Sequence, residues 1–277
     1  VLGDLPDAVW QQHAPPAWAV PIAIAGALWM LLPRGFPARW LGAVMMLPLF
    51  LSVPARLMPG QVQLTVLDVG QGLAIVVRTR EHALLYDTGP AFTEQIDAGG
   101  RIIVPYLRAA GIGRLDAMIV SHDHIDHSGG ALSVLQALPV AWFASSLPQN
   151  HAISVAANHN RLCGTGEPWQ WDGVSFEFLY PPPAAYNDAD AKDNDLSCVL
   201  RIVSPYGSVL LPGDIEKRSE SRLLQFPENL RADLLIAPHH GSRTSSTPGF
   251  VHAVSPGLTV FSVGYRNQFG HPHPEVN

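Results

Sequence analysis

Apolar and polar positions change their rhythm near residue 60. Before it, Ala17–Leu32 is a run of sixteen residues without a charge. Pro33–Arg39 interrupts with two arginines, and Trp40–Pro54 is again uncharged and mostly apolar. Neither run has a polar face at helical period. Each is shorter than the ~20 residues of a spanning helix, although Pro15–Pro33 and Trp40–Leu57, with their flanking prolines and tryptophans, approach it. Trp18, Trp29 and Trp40 near the run ends suit an interfacial belt. The pattern predicts a membrane helical hairpin over residues 15–57; two buried helices of a soluble domain are the alternative. In a membrane, the Arg34/Arg39 loop would be the cytoplasmic one, and everything after Met58 would face the periplasm or the outside.

Pro59-Gly60 marks the boundary, which divides the chain into 1–60 and 61–277. Beyond it the period shortens to that of strands. Gln61–Leu67 alternates polar and apolar, a half-buried strand. Leu73–Val77, Ala83–Tyr86, Leu115–Val120, Val140–Ala144, Val174–Leu179, Leu196–Val203, Ser208–Leu211, Asp233–Ala237 and Leu258–Val263 complete the strand set. Arg101–Ala110, Ala131–Leu138 and Glu216–Gln225 have helical length, and Pro148–Pro168 looks like a loop. Strands with interspersed helices predict a mixed α/β sandwich.

Charge narrows the function. Past residue 60 the chain carries 14 Lys+Arg against 21 Asp+Glu, so net charge alone does not mark a nucleic-acid-binding domain. Two cysteines are too few for a disulfide framework. Cys198, in an apolar run, is expected as a buried thiol, with a single Cys163–Cys198 bridge as the alternative. The chain has no initiator Met and stops at Pro274-Glu275-Val276-Asn277, so it is expected to be a fragment of a longer protein.

The chemistry centres on Ser121-His122-Asp123-His124-Ile125-Asp126-His127-Ser128-Gly129-Gly130. Three histidines and two aspartates fall within six residues, between an apolar strand and a helix. His122 and His124 point to one side of an extended backbone, and Asp126 and His127 approach after the turn. Imidazoles and carboxylates at this density suit two metal ions side by side. Asp68, Asp87, Asp214 and the His239/His240 pair each follow the C-terminal end of a predicted strand. If those strands share sheets, all can meet at one rim, with Asp214 bridging two cations and one of His239/His240 completing the second site. Metals about 3.5–4 Å apart activate a water and stabilise a departing oxygen.

His122-Asp123-His124-Ile125-Asp126-His127 resembles the HxHxDH motif of the metallo-β-lactamase superfamily. Leu67-Asp68-Val69-Gly70-Gln71-Gly72, Asp87-Thr88-Gly89, Leu211-Pro212-Gly213-Asp214, Pro238-His239-His240-Gly241-Ser242 and Gly270-His271-Pro272-His273-Pro274 follow in the order of the ComEC family of DNA-uptake channels. The resemblance implies an αββα sandwich with metals at one edge, preceded by membrane helices. It implies a nuclease that degrades the non-imported strand of incoming DNA, with DNA and the rest of the channel protein as partners, at a bacterial cell membrane. His122, His124, Asp126, His127 and Asp214 carry over as ligands of two divalent ions.

A histidine that often completes the first site is missing from Asp193–Val199, so Asp195, Asn194 or water is expected there; His151 and His159 lie in a loop without a motif. Oxygen-rich ligation would favour manganese over zinc. Asp126 is expected to orient the attacking water, and His271 or His273 to protonate the leaving group. Asp68 and Asp87 would anchor histidines; Arg243 and Arg266 are candidate phosphate contacts. Two other readings compete: an ester, thioester or lactone hydrolase on the same scaffold, and a non-catalytic domain that helps DNA through a channel.

Overall fold

The computed structural model describes residues 12–53, 56–157, 160–164 and 167–276. By its internal contacts the chain divides into a smaller unit, residues 1–56 with 106–113, and a larger one, 57–105 with 114–277.

In the smaller unit the two apolar runs form helices α1 (Ala19–Met30) and α2 (Leu41–Leu51). They cross at Gly26 and Gly42, where a Cβ on either glycine would meet the other's carbonyl oxygen at 2.5 or 2.3 Å. The spanning hairpin expected at 15–57 is corrected. The helices have 12 and 11 residues, about 18 and 16 Å of rise against a ~30 Å hydrocarbon core. No described helix is long and apolar enough to cross a membrane. The prolines and glycine of Pro33–Pro37 end the first run early, and the second leaves helical geometry at Ser52.

The larger unit is a two-sheet sandwich. The first sheet runs in sequence order: β1 (Gln63–Val66), β2 (Ile75–Arg78), β3 (Ala83–Tyr86), β4 (Leu115–Val120), β5 (Val140–Ser145) and β6 (Asn160–Leu162). The second also pairs in sequence order: β7 (Trp169–Trp171), β8 (Val174–Tyr180), β9 (Val199–Ser204), β10 (Gly207–Leu211), β11 (Leu234–Ile236) and β12 (Leu258–Val260). β3 to β6 are mutually parallel, as are β10 to β12. Parallel neighbours send their C-terminal ends to one rim, so the loops after β3, β4, β10 and β11 gather there.

The core lies between the sheets. Ile75, Val77, Leu84, Tyr86, Ala117 and Ile119 pack with Phe176, Leu200, Ile202, Val209 and Leu211. Tyr86 reaches across, its hydroxyl donating to Cys198 O at 2.7 Å. The helices after α2 are α3 (Val104–Ala109), α4 (Ile125–Ser128), α5 (Ala131–Ala137), α6 (Ala152–Ala156), α7 (Lys217–Leu223) and α8 (Pro248–Val254). A second cluster joins Val199, Leu210 and Leu235 to α7 and α8 through Leu223, Phe250 and Val254, which covers the outer face of the second sheet. On the first sheet the residues of opposite pleat, Val76, Leu85, Met118 and Phe143, are equally buried. Cys163 and Cys198 form a disulfide between the end of β6 and the entry to β9, so the free buried thiol expected at Cys198 is corrected to a buried half-cystine.

Candidate metal centre

β4 ends at Val120; the chain bends at His122 and Asp123, and His124 is extended before the one-turn helix α4 (Ile125–Ser128). Backbone contacts fix this loop. Thr88 N and Thr88 Oγ1 both donate to His127 O, at 2.7 and 2.8 Å, and Leu73 N donates to Asp126 O. Gly130 lies flat against the turn after β3 and the segment at Gly99: a Cβ there would come within 2.3 Å of Thr88 O and 2.4 Å of Gly99 N. The two glycines after the histidine cluster are thus a packing requirement of the loop.

Two groups of side chains converge on the rim. His122, His124 and Asp214 each offer an atom within 4.8 Å of the others, and so do Asp126, His127 and His240. Asp214 faces both groups: its Oδ1 is 3.1 Å from His127 Nε2, and its Oδ2 is 3.6 Å from His240 Nε2 and 4.0 Å from His122 Nε2. His127 Nε2 and His240 Nε2 stand 3.1 Å apart. His122 is fully buried, and its Nε2 has no hydrogen-bond partner among the described residues. An unsatisfied buried nitrogen costs about 1–3 kcal/mol. A lone pair aimed at a cation accounts for it, so these six residues fit a pair of divalent ions.

The outer ring nitrogens are tied down. Asp87, fully buried at a left-handed φ of 58°, accepts from Ser121 N (2.6 Å) and Ser121 Oγ (2.8 Å) and lies 2.8 Å from His127 Nδ1. Ser121 Oγ also lies 3.0 Å from His122 Nδ1. His240 Nδ1 donates to Ser262 O at 2.7 Å. A proton held at Nδ1 of His127 and His240 leaves each Nε2 lone pair facing the rim.

Burial and neighbouring charge set the protonation tendencies. Burial, then the charge of His127, holds His122 well below the usual imidazole range. Burial opposes charge on His127 as well, but Asp214 and Asp87 outweigh it and raise its pKa well above the usual value. Burial would push Asp214 up, yet His127 and His240 bring it well below the carboxylate range. For Asp126 burial is likewise outweighed, here by the His240 hydrogen bond and His127, leaving a pKa of about 2. Burial raises that of Asp87 against the pull of His127.

The other residues singled out by sequence take varied places. His239 stands on the far side of Asp214, with Nε2 3.7 Å from Oδ2 and Nδ1 beside Glu216 (3.4 Å) and Thr244 (3.2 Å). Asn194 donates to Glu216 Oε1 at 3.4 Å. Asp195 faces α7, accepting from Ser219 Oγ at 3.1 Å, so it is not brought to the two groups. Asp68 stays in its own turn, accepting from Gly70 N at 3.2 Å. His271 lies with its ring 6.1 Å from that of His239 and its Nδ1 buried and unpartnered among the described residues. His273 N donates to Gly241 O. Arg243 and Arg266 are exposed, the latter over the Tyr265 ring. His151 Nε2 is 3.4 Å from Asp123 Oδ1, and His159 lies outside the described residues. Sequence reasoning missed Ser121, Glu216 and the Ser262 carbonyl. Ser121 stood beside the histidines, but a backbone carbonyl carries no sequence mark.

Comparison with known proteins agrees with this geometry. The model of the metallo-β-lactamase superfamily matches residues 67–264. Competence protein ComA of Neisseria gonorrhoeae is 38% identical over 97% of this chain, and Recombination protein 2 of Haemophilus influenzae is 35% identical over 77%. The chain spans 38% and 26% of those two relatives' own lengths. Among solved structures, the metallo-β-lactamase fold protein YhfI of Bacillus subtilis aligns with 76% of this chain and 92% of its own, at 16% identity and a TM-score of 0.44. By the family model's match over residues 67–264, which includes the HxHxDH loop and Asp214, the chain belongs to the metallo-β-lactamase superfamily.

Proposed function

We propose that this domain is a metal-dependent phosphodiesterase that cleaves DNA, acting on the non-imported strand during DNA uptake as part of a longer channel protein. The carrying observation is the shared Asp214 carboxylate between two ligand groups, with a buried His122 nitrogen that has no hydrogen-bond partner among the described residues. Two divalent ions held there would polarise a water and stabilise the departing oxygen, the two needs of phosphodiester hydrolysis. A competence protein and a recombination protein among the relatives turn the reading toward DNA.

The chain's own groups divide the remaining work. Asp126, ionised and partly open to solvent, orients the attacking water. His271, held below the usual imidazole range by burial and then by His239, lies where a leaving oxygen could take a hydrogen bond, and His273 follows it on the same loop. Arg243 and Arg266 offer exposed guanidiniums to the phosphates. Each group brings two histidines and one aspartate, a donor set that suits zinc as well as manganese. The buried Cys163–Cys198 disulfide supports a location on the outer side of a bacterial cell membrane, because such bonds persist in oxidising compartments.

The test is an assay of the 277-residue chain on labelled DNA with Mn²⁺. Cleavage that Asp214→Ala abolishes is the expected result. A chain that binds metal yet leaves DNA intact with every divalent ion refutes the reading.

A further inference from the structure

At one lateral edge of the sandwich, β6 and β7 have only three residues each and leave a gap between the sheets. A cavity of about 490 Å³ opens there, lined chiefly by Trp142, Arg161, Glu167, Trp169, Trp171 and Phe178. That volume lies within the ~300–1,000 Å³ of small-ligand sites. The chain has seven tryptophans, four of them at or before residue 40, so every tryptophan of the larger unit stands at this one cavity.

The walls are flat and aromatic. Trp169 stacks on Phe176 at 5.2 Å and 10° and meets Trp142 edge-on at 5.1 Å. Its indole Nε1 is buried with no acceptor among the described residues. The Arg161 guanidinium lies over Trp142 at 5.8 Å, so a cationic ligand would meet a like charge already seated on the aromatic face. Arg161 and Glu167 are the exposed members of the lining. The cavity therefore offers π-faces, donors from Arg161 and one carboxylate acceptor.

We propose that this cavity binds a guanine base. A guanidinium can donate to O6 and N7 of guanine, while its N1–H and 2-amino group can donate to Glu167, and the indoles supply stacking. Adenine presents an amino group where Arg161 needs an acceptor. One end of the cavity approaches the rim, while Trp171 lies beside the Asp172–Gly173 return at the opposite end. Leu162, in its lining, pairs with Ser145, and Ser145 pairs with Val120, the residue before the Ser121–His127 loop. Two strand spacings, about 10 Å, separate β6 from β4. That the base belongs to a DNA strand rests on the nuclease reading; the guanine recognition does not.

The test is tryptophan fluorescence of the 277-residue chain in EDTA, titrated with dGMP, dAMP, dTMP and oligothymidylates with or without one central guanine. Saturable quenching is expected for dGMP and the guanine-bearing strand, at least tenfold tighter than for dAMP. Arg161→Met and Glu167→Gln should each weaken it at least tenfold without moving the thermal midpoint. Equal affinity for dGMP and dAMP, indifference to both variants, or no saturable quenching overturns the proposal. Quenching by dGMP but not by the strand overturns the strand source. Because EDTA empties the metal centre, a chain that quenches with dGMP and cleaves nothing keeps this site and loses the nuclease.

Discussion

Asp87→Asn tests how the metal centre is built. The substitution keeps the shape, and asparagine tolerates the left-handed backbone at φ 58°. Its amide oxygen can still accept from Ser121 N, which lies 2.6 Å from Oδ1 in the parent. The new NH₂ then faces His127 Nδ1, 2.8 Å from the present Oδ2. Two donors cannot share that contact, so the imidazole must carry its proton on Nε2, the nitrogen 3.1 Å from Asp214 Oδ1. The lone pair offered to a cation is lost. Removing such an orienting partner typically costs 10–100-fold in metal affinity, about 1.4–2.7 kcal/mol. Calorimetric titration of the chain with Mn²⁺ should show one of two binding events weakened by that factor, with circular dichroism unchanged. Two events of parental affinity in Asp87→Asn would refute the claim that Asp87 sets the tautomer of His127.

Two predictions concern stability far from the rim. Asp172 Oδ2 accepts from Thr79 Oγ1 and Glu81 N and pairs with His82 Nδ1, clamping the β2–β3 turn to the β7–β8 turn. Burial pulls its pKa up, but these partners, His82 foremost, bring it down to about 2. A depressed carboxylate contributes stability above the unfolded value near 4 and loses it as pH falls through about 2. The whole shift would be worth about 2.4 kcal/mol, and solvent around the clamp reduces that to about 1 kcal/mol. Asp172→Asn should therefore lower the unfolding free energy from urea titration at pH 7 by that amount and converge with the parent near pH 2; a constant gap across that range would contradict the assignment. Cys163 and Cys198 are 35 residues apart, for which loop entropy gives about 3–4 kcal/mol; the double serine variant should lose most of that in chemical denaturation, and an unchanged midpoint would show that the bridge does not constrain the unfolded chain.

Much of the site could be read from the sequence, because it obeys a simple rule. A parallel strand delivers whatever follows it to one end of its sheet, and Asp87, the His122–His127 loop, Asp214 and the His239–His240 pair each follow such a strand. Strand periodicity found ten of the twelve strands among the described residues by the same logic. β6 falls inside the expected loop Pro148–Pro168 and β7 just past it, and neither was predicted, since three residues are too few to show alternation. α8 was missed although its signals were present: Thr247 caps it by accepting from Phe250 N, and Pro248 occupies its first position. The expected spanning hairpin failed on length alone, since hydrophobicity does not mark where helical geometry stops. The disulfide was undecided because separation along a chain says nothing of distance between two Cα atoms.

The strand directions also divide the larger unit into a working end and a handling end. The returns at Arg80–His82, Asp172–Gly173 and Pro205–Gly207 all lie at the ends opposite the loops that carry His122–His127 and Asp214. Tyr206, 72% exposed on a tight turn there, can carry a dye, a tag or a surface linkage without crowding the histidines. Immobilised through that turn, the domain would present its cation-binding loops to the surrounding solution.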